Sequence, residues 1–313
     1  MELLFITKNQ KKINAAKKIL ENEILIKNQE IELQEIQGNP LEVAIQKAID
    51  AYKSIEKPLI INDSSLIIPA LNDFPGSYAS YVEKILGDKG ILKLLENENN
   101  RIAYYLDILV YIDKYGYQVF QSKTMGTISN TSYPGDFYPY DKIFIREGDT
   151  HPIAYYGYEK IDKIYENNTY HELLKFLKKR KTARGITFID NKVLLLHRIR
   201  KENDTYLDYY AIPGGGVEDE TLENACIREL LEETSLNVEI NTYLGFEEYE
   251  SGVCYYFLTN YLGGTPILGG EEKEKNNPDN FYEIKLIDIN DIDSINMYGE
   301  GIKMIKMAYS KIK

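Results

Sequence analysis

The chain has 313 residues, a length that fits two domains more readily than one. Its 37 Lys and Arg against 49 Asp and Glu leave a net charge of −12, which argues against nucleic-acid binding through a generally basic surface, so a polyanionic ligand needs local cations or a metal. Two cysteines, Cys226 and Cys254, without metal-type spacing argue against a disulfide framework and structural zinc and for a reducing cytoplasm; no apolar run reaches the ~20 residues that span a membrane, and no signal-peptide pattern opens the chain.

Residues 3–6 form an apolar run read as a buried strand, Thr7-Lys8-Asn9-Gln10 is a polar turn, and Ile13, Ala16, Ile19 and Leu20 recur at helical spacing. A second helix follows Pro40, with Leu41, Ala44, Ile45, Ala48 and Tyr52 as one stripe. Residues 58–61 read as a short strand that Asp63 terminates, strands are expected over 102–112 and 118–122, the second ending near Gly126, and a helix over 165–179. Alternating strands and helices make this half α/β. Lys178-Lys179-Arg180-Lys181 closes the helix as a solvated basic end, preferred over a nucleic-acid patch, and marks a boundary between domains 1–180 and 181–313. From Gly185 the pattern restarts: a hairpin over 186–196 around Asp190-Asn191, a helix over 221–234, several short strands and a last helix over 302–312 make a second α/β unit.

Gly214-Gly215-Gly216-Val217-Glu218-Asp219-Glu220 leads into the helix carrying Arg228, Glu229, Glu232 and Glu233. Glu229, Glu232 and Glu233 lie at i, i+3 and i+4 on one helix face, where like charges repel unless a cation sits among them. Mg²⁺ suits such an oxygen cluster together with substrate phosphates. Arg228 can reach Glu232 one turn on, and the glycines let the backbone approach the metal or a phosphate. The pattern Gly, five residues, Glu, seven residues, Arg-Glu, aliphatic, any, Glu-Glu resembles the Nudix box, the signature of enzymes that hydrolyse nucleoside diphosphates linked to another group. The resemblance covers about residues 183–313 and implies an α/β/α sandwich. In it, Glu229, Glu232 and Glu233 bind Mg²⁺ or Mn²⁺ with the Gly214 or Gly215 backbone, while Glu220 and Arg228 support the loop and helix. Two departures are Ser235, where the family usually has Gly, and a glycine loop one residue short; residues 263–277 match nothing in the pattern.

In the first half, Thr-x-Asn-x-x-Lys (Thr7, Asn9, Lys12) joins a strand to a helix N-terminus, where free backbone N–H groups favour phosphate. Together with Glu35-Ile36-Gln37-Gly38, Ile45-Gln46-Lys47, Asp63-Ser64-Ser65-Leu66, Pro75-Gly76-Ser77-Tyr78 and Asp136-Phe137 with Tyr140-Asp141, it resembles the inosine triphosphate pyrophosphatase family over about residues 1–180. That family cleaves non-standard purine nucleoside triphosphates to monophosphate and pyrophosphate, on an elongated mixed α/β sheet that usually dimerises. The resemblance implies that Thr7, Asn9, Lys12 and Lys47 hold the triphosphate, that Glu35 and Asp63 hold the metal, Asp63 also being a catalytic residue, and that Phe137, Tyr140 and Asp141 frame the base. It further implies a homodimer through this domain. Three departures bear on catalysis: Asn62 stands where the family has an acid, its terminal Lys-Asn is replaced by Glu166-Asn167-Asn168, and its Ser-His-Arg by Tyr170-His171-Glu172. His171 is either the surviving base contact or an ordinary helix residue; His151 and His197 are read as ordinary. The leading reading is a nucleotide-pool enzyme with two Mg²⁺-dependent pyrophosphohydrolase domains. The rival makes the first domain a binding or dimerising module without turnover.

Overall fold

A computed structural model describes residues 2–34, 36–157 and 168–313. The apolar run near the start becomes β1 (Glu2–Ile6), followed by α1 (Gln10–Leu20), β2 (Leu25–Gln29), α2 (Pro40–Ile55) and β3 (Leu59–Ile68). β1 pairs in parallel with both β2 and β3. α2 begins where it does because Asn39 and Glu42 close a reciprocal capping box around Pro40. Its Ala44, Ala48 and Ala51 let the helix pack closely on Leu4, Ile6, Leu59, Ile61, Ile108 and Val110.

Asp63 does not end β3, as its sequence suggests. The strand runs on to Ile68, because Asn62 to Ser65 stay in an antiparallel ladder opposite Leu109 to Leu106 and because Leu66 and Ile68 belong to a second core with Ile91, Leu95 and Phe144. Beyond it come β4 (Phe74–Pro75), α3 (Ala79–Ile85), α4 (Gly87–Leu94), β5 (Ile102–Asp113), β6 (Gly116–Ile128), β7 (Phe144–Arg146), α5 (Ile153–Tyr156) and α6 (Asn168–Lys178). The sheet has the order β2-β1-β3-β5-β6-β7, with β4 on β3, parallel at one side and antiparallel at the other.

Contacts divide the chain into Met1–Leu177 and Lys178–Lys313. The second unit contains β8 (Arg180–Ile189), β9 (Lys192–Glu202), β10 (Thr205–Ala211), β11 (Gly214–Gly216), α7 (Leu222–Thr234), β12 (Asn237–Glu248), β13 (Gly252–Gly263), α8 (Gly270–Glu274), β14 (Asn280–Asp288) and α9 (Gly301–Ile312). The basic run is therefore not wholly a helix end: α6 stops at Lys178 and Arg180 already opens β8, which pairs in parallel with β13 from Gly252 onward. Alternation along β8 builds a sandwich. Gly185 faces α7, where an added Cβ would come within 2.3 Å of Leu230 and 2.9 Å of the Cys226 sulfur, while Ile186 packs with Met304, Ile305 and Ala308 of α9. Thr221 caps α7, accepting from the Asn224 N–H at 3.2 Å. Both cysteines are buried and free.

Candidate active sites

In the first unit, the loop after β1 begins with Thr7, whose hydroxyl accepts from the Asn9 N–H at 3.1 Å. Asn9 is the N-cap of α1, and its carboxamide oxygen accepts from the Lys11 and Lys12 N–H groups at 2.9 and 3.2 Å. Two of the N–H groups expected to be free for phosphate are thus already held by the cap, and a phosphate there would have to displace it. The cations are better placed. Lys12 donates to the Asn62 carbonyl at 2.8 Å, and Lys47 bridges both Asp63 carboxylate oxygens at 3.0 and 3.3 Å. Burial pulls the Lys12 pKa down, opposed by the nearby charges of Asp63 and Asp107. The structure therefore draws Thr7, Asn9, Lys12, Lys47 and Asp63 from the C-terminal end of β1, the N-terminal end of α1 and the middles of α2 and β3; Glu35 lies outside the described residues.

The base-framing set separates. Phe137 is half-buried with its ring 6.2 Å from Tyr133. Tyr140 is instead a core residue, 4% exposed, donating its hydroxyl to the Ala79 carbonyl at 2.9 Å, so it supports the loop from below. Asp141 is equally buried, and that burial raises its pKa to about 6, with Lys11 opposing and Glu83 adding to the rise. Lys11 also sits 4.4 Å from the centre of the Tyr138 ring. His171 is exposed on α6, whereas its neighbour Tyr170 is buried, edge-on to Phe5 and donating to the Lys12 carbonyl at 3.5 Å. Glu172, expected as an anion against phosphate, turns to solvent and pairs with Lys175 at 2.7 Å. Glu166 and Asn167 lie outside the described residues.

In the second unit a cavity of about 600 Å³ is lined by Gly214, Gly215, Arg228, Glu229, Glu232 and Glu233 among others. Arg228 is its hub: it donates to Glu220 at 2.7 and 2.9 Å, to Glu229 at 2.8 Å, to Glu232 at 3.3 Å and to the Gly216 carbonyl at 2.9 Å. These bonds hold its pKa above the ordinary guanidinium value, the one to Glu220 contributing most. Glu233 is 6% exposed and accepts from the Gly214 N–H at 2.7 Å. Burial first, and Glu272 second, raise its pKa to about 8; burial likewise raises that of Glu229. A Cβ at Gly215 would lie 2.5 Å from the Glu229 carboxylate, so a side chain there would push that carboxylate from its bond to Arg228.

These features fit a divalent cation: carboxylates held against their preference in one pocket, beside a backbone stripped of side chains. Among the described residues no three His, Cys, Asp or Glu side chains form a preassembled cage. Arg228 occupies that role toward Glu229 and Glu232, while the Gly214 N–H donates to Glu233.

Among the lining residues that the pattern leaves unmarked are Arg180, Arg184 and Glu272. Arg180 and Arg184 join the cavity because β8 alternation aims positions 180, 182 and 184 at it, a consequence of the strand starting earlier than the basic run suggests. Glu272 arrives on α8, within the stretch that carries no motif. Ser235 takes the left-handed conformation, φ 58°, that explains the usual Gly.

The two halves of the chain match families of hydrolases that act on phosphoanhydride bonds. The chain belongs to the Ham1 family, whose model matches residues 3–168, and a NUDIX domain model matches residues 179–306. It is 38% identical over 167 residues to a dITP/XTP pyrophosphatase of Methanopyrus kandleri, covering 52% of this chain and 89% of that protein. An inosine triphosphate pyrophosphatase of Chaetomium globosum is 34% identical over 169 residues, covering 53% and 84%. The solved structure of a HAM1 protein from Coxiella burnetii superimposes with a TM-score of 0.50 at 22% identity, covering 56% of this chain and 98% of that one, a likeness of fold. Enzymes of both families generally use divalent metal ions. Among the described residues no helix is long and apolar enough to cross a membrane.

Proposed function

We propose that the first unit hydrolyses non-canonical purine nucleoside triphosphates, of the inosine and xanthosine type, to monophosphate and pyrophosphate, and that the second hydrolyses another nucleoside diphosphate derivative, both with Mg²⁺ in a cytoplasmic house-cleaning role. The observation that carries the first half is the set of two lysines and one aspartate converging from α1, α2 and β3. Lys12 and Lys47 exchange their present acceptors for phosphate oxygens, which an acidic protein needs locally. Asp63, released from Lys47, holds the metal together with Glu35. When bound, the divalent ion neutralises phosphate charge and lowers the pKa of an attached water from ~15.7. Asp141, near enough to Lys11 to feel its charge, is the member of the base-framing set that meets the base edge.

In the second unit Glu229, Glu232 and Glu233 hold the metal, and Arg180 and Arg184 meet the phosphates. Arg228 keeps its tie to Glu220 and so anchors the helix to the glycine loop. The exposed Tyr81 and Ile85 of α3, 66% and 59% accessible, support a homodimer through the first unit. Stripping the protein with EDTA should abolish pyrophosphate release from inosine triphosphate, and Mg²⁺ should restore it. Release of inorganic phosphate instead of pyrophosphate would refute the assignment.

A further inference from the structure

A second cavity, of about 250 Å³, adjoins the one lined by the α7 carboxylates, and Arg184, Gly214, Glu233, Glu272 and Tyr298 line both. Strand alternation sets its floor. Leu196, Arg198 and Arg200 of β9 share one sheet face, and the residues opposed to Arg198, Tyr209 on β10 and Tyr282 on β14, share it too. The other face of β9 carries His197, stacked on Tyr210 and bonded at 2.9 Å to Glu283 and at 2.7 Å to Asp208. Two carboxylates of the flanking strands are thus engaged away from the arginines.

Arg198 is half-buried and held by neutral groups. It donates to the Asn280 carboxamide oxygen at 2.9 and 3.2 Å and to the Tyr209 hydroxyl at 3.2 Å, and its guanidinium lies 4.7 Å from the centre of the Tyr282 ring. Those bonds use three of its five N–H groups, and among the described residues it has no ion pair within 4.0 Å. Arg200 pairs with Glu202, and its Nε, buried from solvent, has no acceptor among the described residues. Buried donors are nearly always paired, and a guanidinium drawn out of water without a counter-charge is costly. Glu229 and Glu232 line only the first cavity and the two arginines only the second, so the lining changes from anionic to cationic between them.

We propose that the second cavity is a subsite for a further phosphate group carried by the substrate whose phosphoanhydride is cleaved beside Glu229 and Glu232. The second unit then takes nucleoside diphosphate derivatives that bear one more phosphate; this rests on the reading of that unit as a hydrolase of such derivatives. The uncommitted N–H groups of Arg198 and Arg200 suit phosphate oxygens. A neutral base edge would satisfy these donors and leave the charge of Arg198 uncompensated. Tyr298, 53% exposed and common to both cavities, offers a ring to the sugar or base that joins the two phosphate groups.

The test uses the full-length chain and three pairs of ligands that differ by one phosphate: ADP-ribose 2′-phosphate and ADP-ribose, coenzyme A and its 3′-dephospho form, and ATP and ADP. Calorimetry in EDTA measures the affinity that the phosphate adds, with circular dichroism to verify folding. At least one pair should show a gain of about tenfold or more, and that pair places the phosphate at a 2′ position, a 3′ position or a chain end. Arg198→Gln and Arg200→Gln should each remove most of the gain, and Glu202→Gln, which frees Arg200, should enlarge it. If no pair shows a gain, or if the gain survives both arginine substitutions, the proposal is overturned. Mg²⁺-dependent hydrolysis of the same compounds separates the two levels. Cleavage indifferent to the extra phosphate rejects only the subsite, whereas an arginine-dependent gain without cleavage of any compound upholds the subsite and rejects the reading of the unit as a hydrolase of these derivatives.

Discussion

Replacing Glu232 by Gln should separate catalysis from stability in the second unit. The Glu232 side chain is 52% exposed, and its bond to Arg228 is a single 3.3 Å contact one helical turn away. An exposed pair of this kind contributes about 0.3–0.5 kcal/mol. Arg228 keeps Glu220, Glu229 and the Gly216 carbonyl, so the hub persists. Removing the charge also relieves repulsion of Glu229, a term of similar size and opposite sign. The net change in unfolding free energy is therefore expected within about 0.5 kcal/mol, read as an unchanged urea midpoint in EDTA. Turnover should fall at least about 100-fold, some 2.7 kcal/mol of barrier, because a charged ligand is lost where the metal must bind. The assay is hydrolysis at limiting Mg²⁺ across a nucleoside triphosphate, a dinucleotide and a nucleotide sugar. Unchanged turnover there, or a loss of stability above about 1.5 kcal/mol, would refute the reasoning.

Lys12→Ala should weaken binding of inosine triphosphate by at least about tenfold while leaving inosine unaffected, since a charge-assisted bond to phosphate is lost and none to the base; equal losses in calorimetry would show that Lys12 does not touch phosphate. Asp141 has a folded pKa of about 6 against 3.8 unfolded, so its favourable contribution is complete below pH 3.8 and is lost as pH rises through 6. Asp141→Asn should thus gain stability over the wild type progressively between about pH 4 and 6 and keep a constant advantage of about 3 kcal/mol above that, and a pH-independent difference would contradict this. Ser235→Gly should stabilise the second unit by about 0.5–1 kcal/mol, because glycine takes the left-handed C-cap without the Cβ penalty; a lowered melting temperature would mean that the bond from Ser235 to the Ile267 carbonyl, 3.2 Å, outweighs it.

What could be read in advance was whatever depends on near neighbours in sequence. The start of α2 follows from Asn39, Pro40 and Glu42, and the Arg228 hub follows from helical spacing plus one loop residue, Glu220. Residues whose role is set across strands could not be read. Arg180 looks like part of a basic tail until β13 is found to pair with it, and pairing turns every second residue toward the cavity. Tyr140 matches a motif, but its hydroxyl is claimed by Ala79, a residue distant in sequence. Glu172 was suspect by position alone, and one lysine a turn away removes the objection.

The central claim is that one chain carries two separate phosphoanhydride-cleaving centres, and the most direct test is a product-resolved assay of the full-length protein. Asp63→Asn should abolish pyrophosphate release from inosine triphosphate and spare hydrolysis of the second unit's substrate, and Glu232→Gln should do the reverse. Loss of both activities in Glu232→Gln, with neither lost in Asp63→Asn, would contradict the account and leave the first unit a binding module.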